Sequence, residues 1–395
     1  MSGLIRFCGH GGALARRLTF AASAACLSMT GAQADDYKWP DNIPPEAQAM
    51  MEPMPLSPRG QAVVGFPEGP EAASPDSISF TAEDLQKLKD GGFSAGISMN
   101  VMDAAWPQLQ VAGIKAGLEE YGIEVIATTD ARGQPATQLN DLEQLAASNP
   151  DVILSIPIDP VSSAAAFKSI GEKGMKVVFI DNVPAEMKPG RDYVSVIASD
   201  NEANGYFAAK AMIEKMGGSG KVGILTTVYN SAYVIQARER GARKAFGEFP
   251  DIEEVTPGQF AGSMDKAYST ATAMLTAEPD LQGLFAVWDT PAIQAANAAK
   301  TLGRDILIST VDLGEDSALA VARGQIYSIG AQRPYLQGKT EAKAAAAALL
   351  GKDVPPYLSV AAMKVTKLNL LSALSEVIND EPPASVIKVC NNECF

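Results

Sequence analysis

Val177-Val178-Phe179-Ile180-Asp181-Asn182 is a short apolar run, rich in β-branched residues, that ends in two polar residues. Because apolar residues occupy consecutive positions, the run predicts a strand that is buried on both faces of a sheet. Similar runs recur along the chain, each bounded by polar or turn-forming residues. They cover residues 95–99, 152–158, 193–198, 222–225, 284–287, 306–311 and 326–331.

Amphipathic stretches with helical spacing lie between these apolar runs. They cover residues 107–121, 136–148, 202–216, 232–246, 265–277 and 291–302. Buried strands that alternate with helices predict parallel sheets covered on both faces, which is the α/β class of fold. The alternation occurs about six times on each side of Asp200, without the eightfold regularity of a barrel. We therefore expect two doubly wound parallel-sheet lobes.

The first 34 residues have the pattern of an export signal. Basic residues precede an apolar stretch at 18–29, and Ala32-Gln33-Ala34 offers the small residues that a signal peptidase recognises. The stretch is too short to serve as a permanent membrane anchor. Arg16-Arg17 leaves a twin-arginine route open, and Cys26 leaves lipid attachment open. We expect a protein that is exported to the periplasm.

Charge and histidine content exclude several classes of function. Without the first 34 residues the net charge changes from −14 to −17, and so acidic a surface repels nucleic acid and anionic headgroups. No later segment is apolar enough to span a membrane. His10 is the only histidine, so the exported part has no histidine for a nucleophilic triad or a metal site. We expect no metal and no cofactor, although carboxylate or lysine chemistry stays open.

Two segments fall outside the alternating pattern. Residues 35–91 are rich in proline and methionine and show only one short helix pattern, at 81–89, so we expect an irregular extension that lies along one lobe. Near the other end, Cys390 and Cys394 are the only cysteines beyond the signal. In an oxidising compartment we expect them to form a disulfide.

The polar and aromatic residues that follow the predicted strands are the candidate ligand-binding residues. In doubly wound sheets, ligands bind beyond the carboxyl ends of the strands. Some of these residues also suit the role of helix caps, but the aromatic residues and the glutamine among them do not. The candidates are Asn100, Asp103, Trp106, Asp181, Asn182, Asn201, Arg238, Phe260, Trp288, Asp289, Asp312 and Gln332.

This set of side chains matches the chemistry of a neutral sugar. Carboxylates and amides bind pairs of hydroxyl groups, and a guanidinium group donates to several oxygens at once. Aromatic faces cover the C–H surface of a sugar ring. A site of this composition discriminates between sugars, because a missing hydroxyl leaves a buried polar group unpaired.

From about Phe93 to Lys367 the chain resembles the ribose-type periplasmic binding proteins of ABC sugar importers. The resemblance rests on Gly113, Val196-Ile197-Ala198-Ser199-Asp200-Asn201, Ala237-Arg238-Glu239-Arg240-Gly241, Val311-Asp312, Gly330-Ala331-Gln332 and Val365-Thr366-Lys367. It implies the type I fold of periplasmic binding proteins, with two lobes joined by a three-strand hinge that closes around the ligand. In that family, similar positions hold the sugar. In this sequence they are Asn100, Trp106, Asp181, Arg238, Phe260, Asp312 and Gln332.

The resemblance also implies the organisation and the partners of the chain. The N-terminal lobe is expected to comprise residues 92–199 and 333–361, and the C-terminal lobe residues 200–332 and 362–395. The chain is expected to cross between them near Ser199, Gln332 and Ala361. The expected partners are a small sugar or polyol and the membrane permease of an ABC importer. The protein is expected to be a monomer and not an enzyme.

Two residues depart from the ribose-binding pattern. Asn182 stands where ribose binders commonly have arginine, and Trp288 stands where they have asparagine. A donor fork is lost and an aromatic plane is gained, so we expect another pentose, a deoxysugar or an acyclic polyol instead of ribose. A ligand sensor for a chemoreceptor or kinase stays open as an alternative, as does a carbohydrate-active enzyme with paired carboxylates. A gene repressor does not fit, because no DNA-binding motif precedes the body.

Overall fold

The structure, a computed structural model, describes residues 43–59, 70–159, 161–227, 233–261 and 264–395. The predicted export signal lies outside these residues. The described strands are β1 (Ser94–Met99), β2 (Glu124–Asp130), β3 (Val152–Ser155), β4 (Lys176–Ile180), β5 (Ser195–Ser199), β6 (Ser219–Thr227), β7 (Asp251–Glu254), β8 (Gly258–Phe260), β9 (Leu281–Ala286), β10 (Leu307–Val311), β11 (Ser328–Ala331), β12 (Tyr357–Val360) and β13 (Met363–Thr366).

The described helices lie between these strands and at both ends of the described chain. They are α1 (Pro45–Met51), α2 (Ala82–Asp90), α3 (Ala105–Glu120), α4 (Pro135–Ala147), α5 (Ala164–Glu172), α6 (Asn201–Met216), α7 (Tyr233–Gly247), α8 (Met264–Ala277), α9 (Asp289–Thr301), α10 (Glu315–Ala322), α11 (Pro334–Leu349), α12 (Leu370–Ile378) and α13 (Ala384–Cys390). All six predicted helical stretches are present, displaced by no more than two residues at either end.

The first sheet has six parallel strands in the order β12-β5-β4-β3-β1-β2. Strands β3 and β5 are buried at every position, as expected for a sheet with helices on both faces. Helices α3 and α11 pack against each other, and α4 packs against α5. Two separate apolar clusters fill the space between the sheet and its helices. The prediction of a doubly wound α/β lobe is confirmed.

The second sheet has the order β13-β11-β10-β9-β6-β7, and β8 also pairs with β6. Its strands are parallel except β13, which is antiparallel to β11. Only parallel strands were predicted from the sequence, so the antiparallel pairing of β13 with β11 corrects that prediction. Its cause is the short connection between β12 and β13. A chain that runs straight from one sheet into the other becomes antiparallel when the carboxyl ends of the two sheets face each other.

The described chain passes between the sheets at three places. Strand β5 belongs to the first sheet, whereas α6, which begins directly after it, packs on the second sheet. Strand β11 belongs to the second sheet, and α11 returns to pack on the first. The third passage joins β12 to β13. These passages lie next to the residues from which a three-strand hinge was expected.

The proline- and methionine-rich extension contacts both sheets. Helix α1 packs against β13 of the second sheet. The backbone N–H of Ser57 donates to the Asp200 carboxylate at 2.5 Å. Ala73 then pairs with Leu358 of β12 in the first sheet. The expectation that the extension lies along one lobe is therefore wrong, because irregular segments are held largely by backbone hydrogen bonds that side-chain patterns do not reveal.

The C-terminal segment folds back onto the helices of the C-terminal lobe, where α13 packs against α10. The Cys390 and Cys394 sulfurs are bonded at 2.08 Å. The Phe395 carbonyl oxygen accepts from the backbone N–H groups of Leu371 at 2.9 Å and Ser372 at 3.2 Å, in the first turn of α12. These groups have no partner within the helix itself, so the tail caps α12.

Candidate functional site

The candidate residues lie at the carboxyl ends of strands in both sheets. Most of them follow a strand directly or within a few residues, whereas Trp106 lies in the first turn of α3 and Arg238 lies on α7. From the first sheet come Asn100 after β1, and Asp181 and Asn182 after β4. From the second sheet come Phe260 at the end of β8, Trp288 and Asp289 after β9, Asp312 after β10 and Gln332 after β11.

Arg238 is the centre of the best-defined group of polar side chains. Helix α7 supplies it, and only 5% of its surface is exposed. Its Nε donates to Oδ1 of Asn201 at 3.0 Å. Its Nη1 donates to the carbonyl oxygen of Val287 at 2.9 Å and to Oδ2 of Asp312 at 3.1 Å. These bonds fix the guanidinium plane, as a binding site requires.

Asp312 links Arg238 to a third candidate residue. Its second carboxylate oxygen accepts a short hydrogen bond from the Gln332 amide nitrogen. The amide oxygen of Gln332 is buried and has no hydrogen-bond partner among the described residues. A buried acceptor without a partner costs free energy, which a ligand hydroxyl group would recover by donating to it.

Asp181 and Asp312 share an unusual backbone conformation. Their φ angles are 55° and 76°, in the left-handed region that non-glycine residues rarely adopt. Aspartate tolerates this region better than most residues, and such strain concentrates at functional sites. The conformation occurs directly at the end of a strand in both cases.

Asp181 is a buried carboxyl group at the end of β4. Burial raises its pKa to about 6, and the charge of Asp312 acts in the same direction. The hydrogen bond from Gln337 and the positive charge of Arg238 both lower the pKa. Asn201, which follows β5 of the first sheet, bonds to Arg238 of the second lobe at 3.0 Å, so the two sets of strand ends face each other.

Asp289 is a third carboxyl group in this region, in the first turn of α9. Burial and, to a smaller extent, the Asp312 carboxylate raise its pKa to about 7. Three carboxyl groups around one guanidinium leave the region with an excess of potential negative charge. It therefore disfavours an anionic ligand, whereas hydroxyl groups find acceptors.

Aromatic side chains complete the region on both sides. The Phe260 and Trp288 rings make an edge contact, with centroids 5.5 Å apart. Trp288 is half-buried and also contacts the apolar core of its lobe. On the first lobe, Trp106 packs against the core, and its indole nitrogen is buried without a hydrogen-bond partner among the described residues. This indole therefore offers a donor as well as an apolar face.

The structure does not join every candidate to this group. The Asn100 side chain accepts from the backbone N–H of Val101 at 2.8 Å, and Asp103 is exposed. Asn182 is half-buried, and its side chain has no hydrogen bond to another candidate within the described chain. In the described ranges, no cluster of histidine, cysteine and acidic residues suits a metal ion. Those ranges also include no helix with the length and hydropathy of a membrane span.

Sequence reasoning missed Gln337, the side chain that holds Asp181. Its Nε2 donates to Oδ1 of Asp181 at 3.0 Å, and it is completely buried on α11. It lies four residues before Glu341, also completely buried. Two polar residues on the buried face of an otherwise alanine-rich helix were the available signal.

The chain is similar to a known protein family and to proteins of known function. A family model described as periplasmic binding protein domain matches residues 95–353. The ribose import binding protein RbsB of Bacillus subtilis is 29% identical over 269 residues, which are 68% of this chain and 85% of that protein. The D-allose-binding periplasmic protein of Escherichia coli is 27% identical over 238 residues, 58% of this chain and 76% of its own length.

Solved structures show the same architecture. A periplasmic solute-binding protein from Actinobacillus succinogenes with bound D-allose aligns with a TM-score of 0.64 and 24% identity, and covers 70% of this chain and 99% of that one. A solute-binding protein from Agrobacterium vitis with bound D-fucose aligns with a TM-score of 0.61 and 25% identity, and covers 70% and 96%. The family match begins at residue 95, so the extension before it lies outside the matched region.

Proposed function

Because this chain belongs to the periplasmic binding protein family, we propose that it is the substrate-binding component of an ABC importer and captures a small neutral sugar or polyol between two closing lobes. The resemblance to ribose-type binding proteins and the expected two-lobed fold are confirmed by the family match and the relatives. Those relatives are named for ribose and D-allose.

The observation that carries the proposal is the Arg238 group at the facing strand ends. Arg238 is buried and fixed by Asn201 and Asp312. Gln332, which bonds to the same Asp312, has a buried acceptor without a partner among the described residues, and Trp106 has a buried donor without one. A sugar hydroxyl can donate to one partner and accept from another, so it satisfies both kinds of group. The aromatic rings supply the apolar surface that a sugar ring covers.

The lobes and their site residues follow from the same proposal. The lobes are residues 92–199 with 333–361, and 200–332 with 362–395. The ligand contacts Asn100, Asp103, Trp106, Asp181, Asn182, Asn201, Arg238, Phe260, Trp288, Asp289, Asp312 and Gln332. The protein acts in the periplasm as a monomer, hands its ligand to a membrane permease and does not transform it. Residues 1–34 direct its export.

Ligand identity is set by the two departures from the ribose pattern. The amide of Asn182 has fewer donors than the guanidinium group it replaces, and the Trp288 ring contacts Phe260 where an amide would bind a hydroxyl. Both changes favour a ligand with more C–H surface or fewer oxygens on that side. We propose a pentose other than ribose, a deoxysugar or an acyclic polyol.

A thermal-shift screen tests the proposal. The panel is D-ribose, D-allose, L-arabinose, D-arabinose, D-tagatose, D-fucose and ribitol, with glucose 6-phosphate as an anionic control. A ligand that binds only the folded protein stabilises it by about 2.7 kcal/mol at a hundredfold excess over Kd. We expect at least one neutral member to raise the melting temperature and the phosphate ester to have no effect.

Calorimetry and product analysis separate the binding protein from an enzyme. We expect one ligand per protein molecule and complete recovery of unchanged sugar after prolonged incubation. Turnover of any sugar would support the carbohydrate-active alternative. A panel without a single neutral ligand, or with the phosphate ester alone as ligand, would refute the proposed ligand class.

A further inference from the structure

A chain of buried polar side chains lies behind Asp181 in the first lobe. Gln110 of α3 and Gln337 and Glu341 of α11 are each completely buried. Buried polar groups at a helix–helix contact are costly unless they are hydrogen-bonded. Their arrangement therefore requires a reason beyond the packing of two helices.

Hydrogen bonds connect these residues to the candidate ligand site. The Gln110 amide nitrogen donates to Oε1 of Glu341 at 2.5 Å. The Gln337 amide nitrogen lies 3.4 Å from the same oxygen, 3.3 Å from the carbonyl oxygen of Ile197 and 3.0 Å from Oδ1 of Asp181. The shortest of these three contacts, to Asp181, joins the buried chain to the site.

Close contact between α3 and α11 seals the chain of side chains from water. A Cβ atom at Gly113 would lie 2.0 Å from the carbonyl oxygen of Tyr335, and one at Gly338 would lie 2.2 Å from that of Gln110. Only glycine permits this approach of the two backbones. In such a dry environment a fixed amide donor influences its acceptor more strongly than it would in water.

The environment of Glu341 favours the neutral form of its carboxyl group. Burial raises its pKa well above the usual value, and the nearby Asp181 carboxylate raises it further. Its Oε2 has no hydrogen-bond partner among the described residues, and no cation of the described chain pairs with it. A proton on Oε2 removes a buried charge and leaves Oε1 as acceptor for the two amides.

We propose that Gln337, held in place by Glu341 and by Gln110, is a positioning residue that keeps Asp181 ionised and oriented toward the ligand. The role in ligand binding rests on the proposed function, whereas the effect on Asp181 does not. The competing explanation is that the polar chain only stabilises the contact between α3 and α11.

Several groups around Asp181 shift the equilibrium between its ionised and its protonated form. Asp312 and burial favour its protonated form, and Arg238 favours the ionised form. Glu341 and Tyr357 also lie close enough for the Asp181 charge to raise the pKa of each. An ionised carboxylate accepts two hydroxyl donors, whereas its protonated form offers fewer acceptor positions.

The first experiment measures the titration of Asp181 in the ligand-free, full-length mature protein. Carbon-13 labelling of aspartate side chains gives its carboxyl resonance, assigned by its loss in Asp181→Asn. In Gln337→Met, which keeps the volume but removes the donor, we expect the midpoint to rise by about one pH unit or more, a tenfold change in proton affinity. Gln337→Asn shortens the side chain and withdraws the amide from Asp181, so it should also raise the midpoint.

Two further variants define the contributions of the neighbours. Gln138→Met removes another buried glutamine of the first lobe, whose amide bonds to Ile156 and Ile158 and not to Asp181, and it should leave the midpoint unchanged. Glu341→Gln replaces one neutral group by another and should also leave it unchanged. A lower midpoint in Glu341→Gln would show that Glu341 carries a charge, and would overturn its assigned role.

The second experiment measures the Kd for D-fucose, a deoxysugar of the proposed ligand class, against pH by calorimetry. In Gln337→Met we expect affinity to weaken about twofold near pH 7 and about tenfold near pH 5, and to recover as the pH rises, because alkaline solution restores the carboxylate. An equal loss at every pH, or an unchanged Asp181 midpoint in the ligand-free protein, would overturn the proposal. If D-fucose and every other neutral member of the panel fail to bind the unaltered protein, the proposed function fails, and the ligand-free titration alone decides this inference.

Discussion

Replacing Asp181 by asparagine should stabilise the ligand-free protein at neutral pH. A carboxyl group whose pKa is higher in the folded than in the unfolded protein releases its proton on unfolding. Its contribution is therefore favourable below the unfolded value near 4 and is lost as the pH rises through the folded value of about 6. Asparagine accepts the Gln337 hydrogen bond and tolerates the left-handed backbone, so it removes the charge and little else.

The magnitude follows from the pKa difference. A rise from 3.8 to about 6 corresponds to about two units, or about 3 kcal/mol in the free energy of unfolding once the pH exceeds both values. At about pH 4 the folded protein already holds the proton, and the variant should gain almost nothing. The gain in stability should accompany a loss of ligand affinity, because the variant lacks a carboxylate for two hydroxyl groups.

Urea unfolding at about pH 4 and pH 7.5, followed by tryptophan fluorescence, measures this difference. Asp84→Asn is the matched control. The hydrogen bond from Lys352 lowers the pKa of the half-buried Asp84 to about 2, so its replacement should reduce stability at pH 7.5 and not raise it. If Asp181→Asn has the same urea midpoint as the unaltered protein at pH 7.5, or a lower one, the inferred cost of the buried charge is refuted.

Arg238→Ala should abolish sugar binding, because it leaves the Asp312 carboxylate without its cation, whereas Arg240→Ala on the exposed side of α7 should keep the calorimetric Kd within about twofold. Gly113→Ala should lower the free energy of unfolding by about 1–3 kcal/mol, since the helices α3 and α11 must separate, and an unchanged urea midpoint would contradict this. Replacing Cys390 and Cys394 by serine should cost about 2 kcal/mol, as expected for a short closed loop, and equal stability with and without reductant in the unaltered protein would disprove it. Small-angle scattering should show a smaller radius of gyration with saturating ligand, and an unchanged radius would argue against lobe closure.

Much of the fold could be predicted from local sequence patterns. Continuous apolar runs such as 177–180 are strands because a doubly covered sheet leaves no exposed face, and this property is visible residue by residue. Strand β13 and the path of the extension could not be predicted in this way. The direction of β13 depends on how the two sheets face each other, and the extension is held by backbone contacts such as that of Ser57 with Asp200.

The candidate site, like the fold, could be predicted only in part from the sequence. The strand-end rule led to Asp181, Asp312 and Gln332, because the carboxyl end of a strand is a local property of the chain. The sequence gives no sign that Arg238 bonds to Asp312, since 74 residues separate them. It also did not identify Gln337, which acts on Asp181 across 156 residues.

By itself, the sequence determined the alternation of strands and helices, the residues available at the strand ends and the acidity of the surface. These features depend on the side-chain period and on residue type, which are local. Only the tertiary structure decided which polar groups meet, which carboxyl groups lose their water and hence which pKa values rise. Desolvation and charge coupling depend on distances between residues far apart in the chain, and folding alone sets those distances.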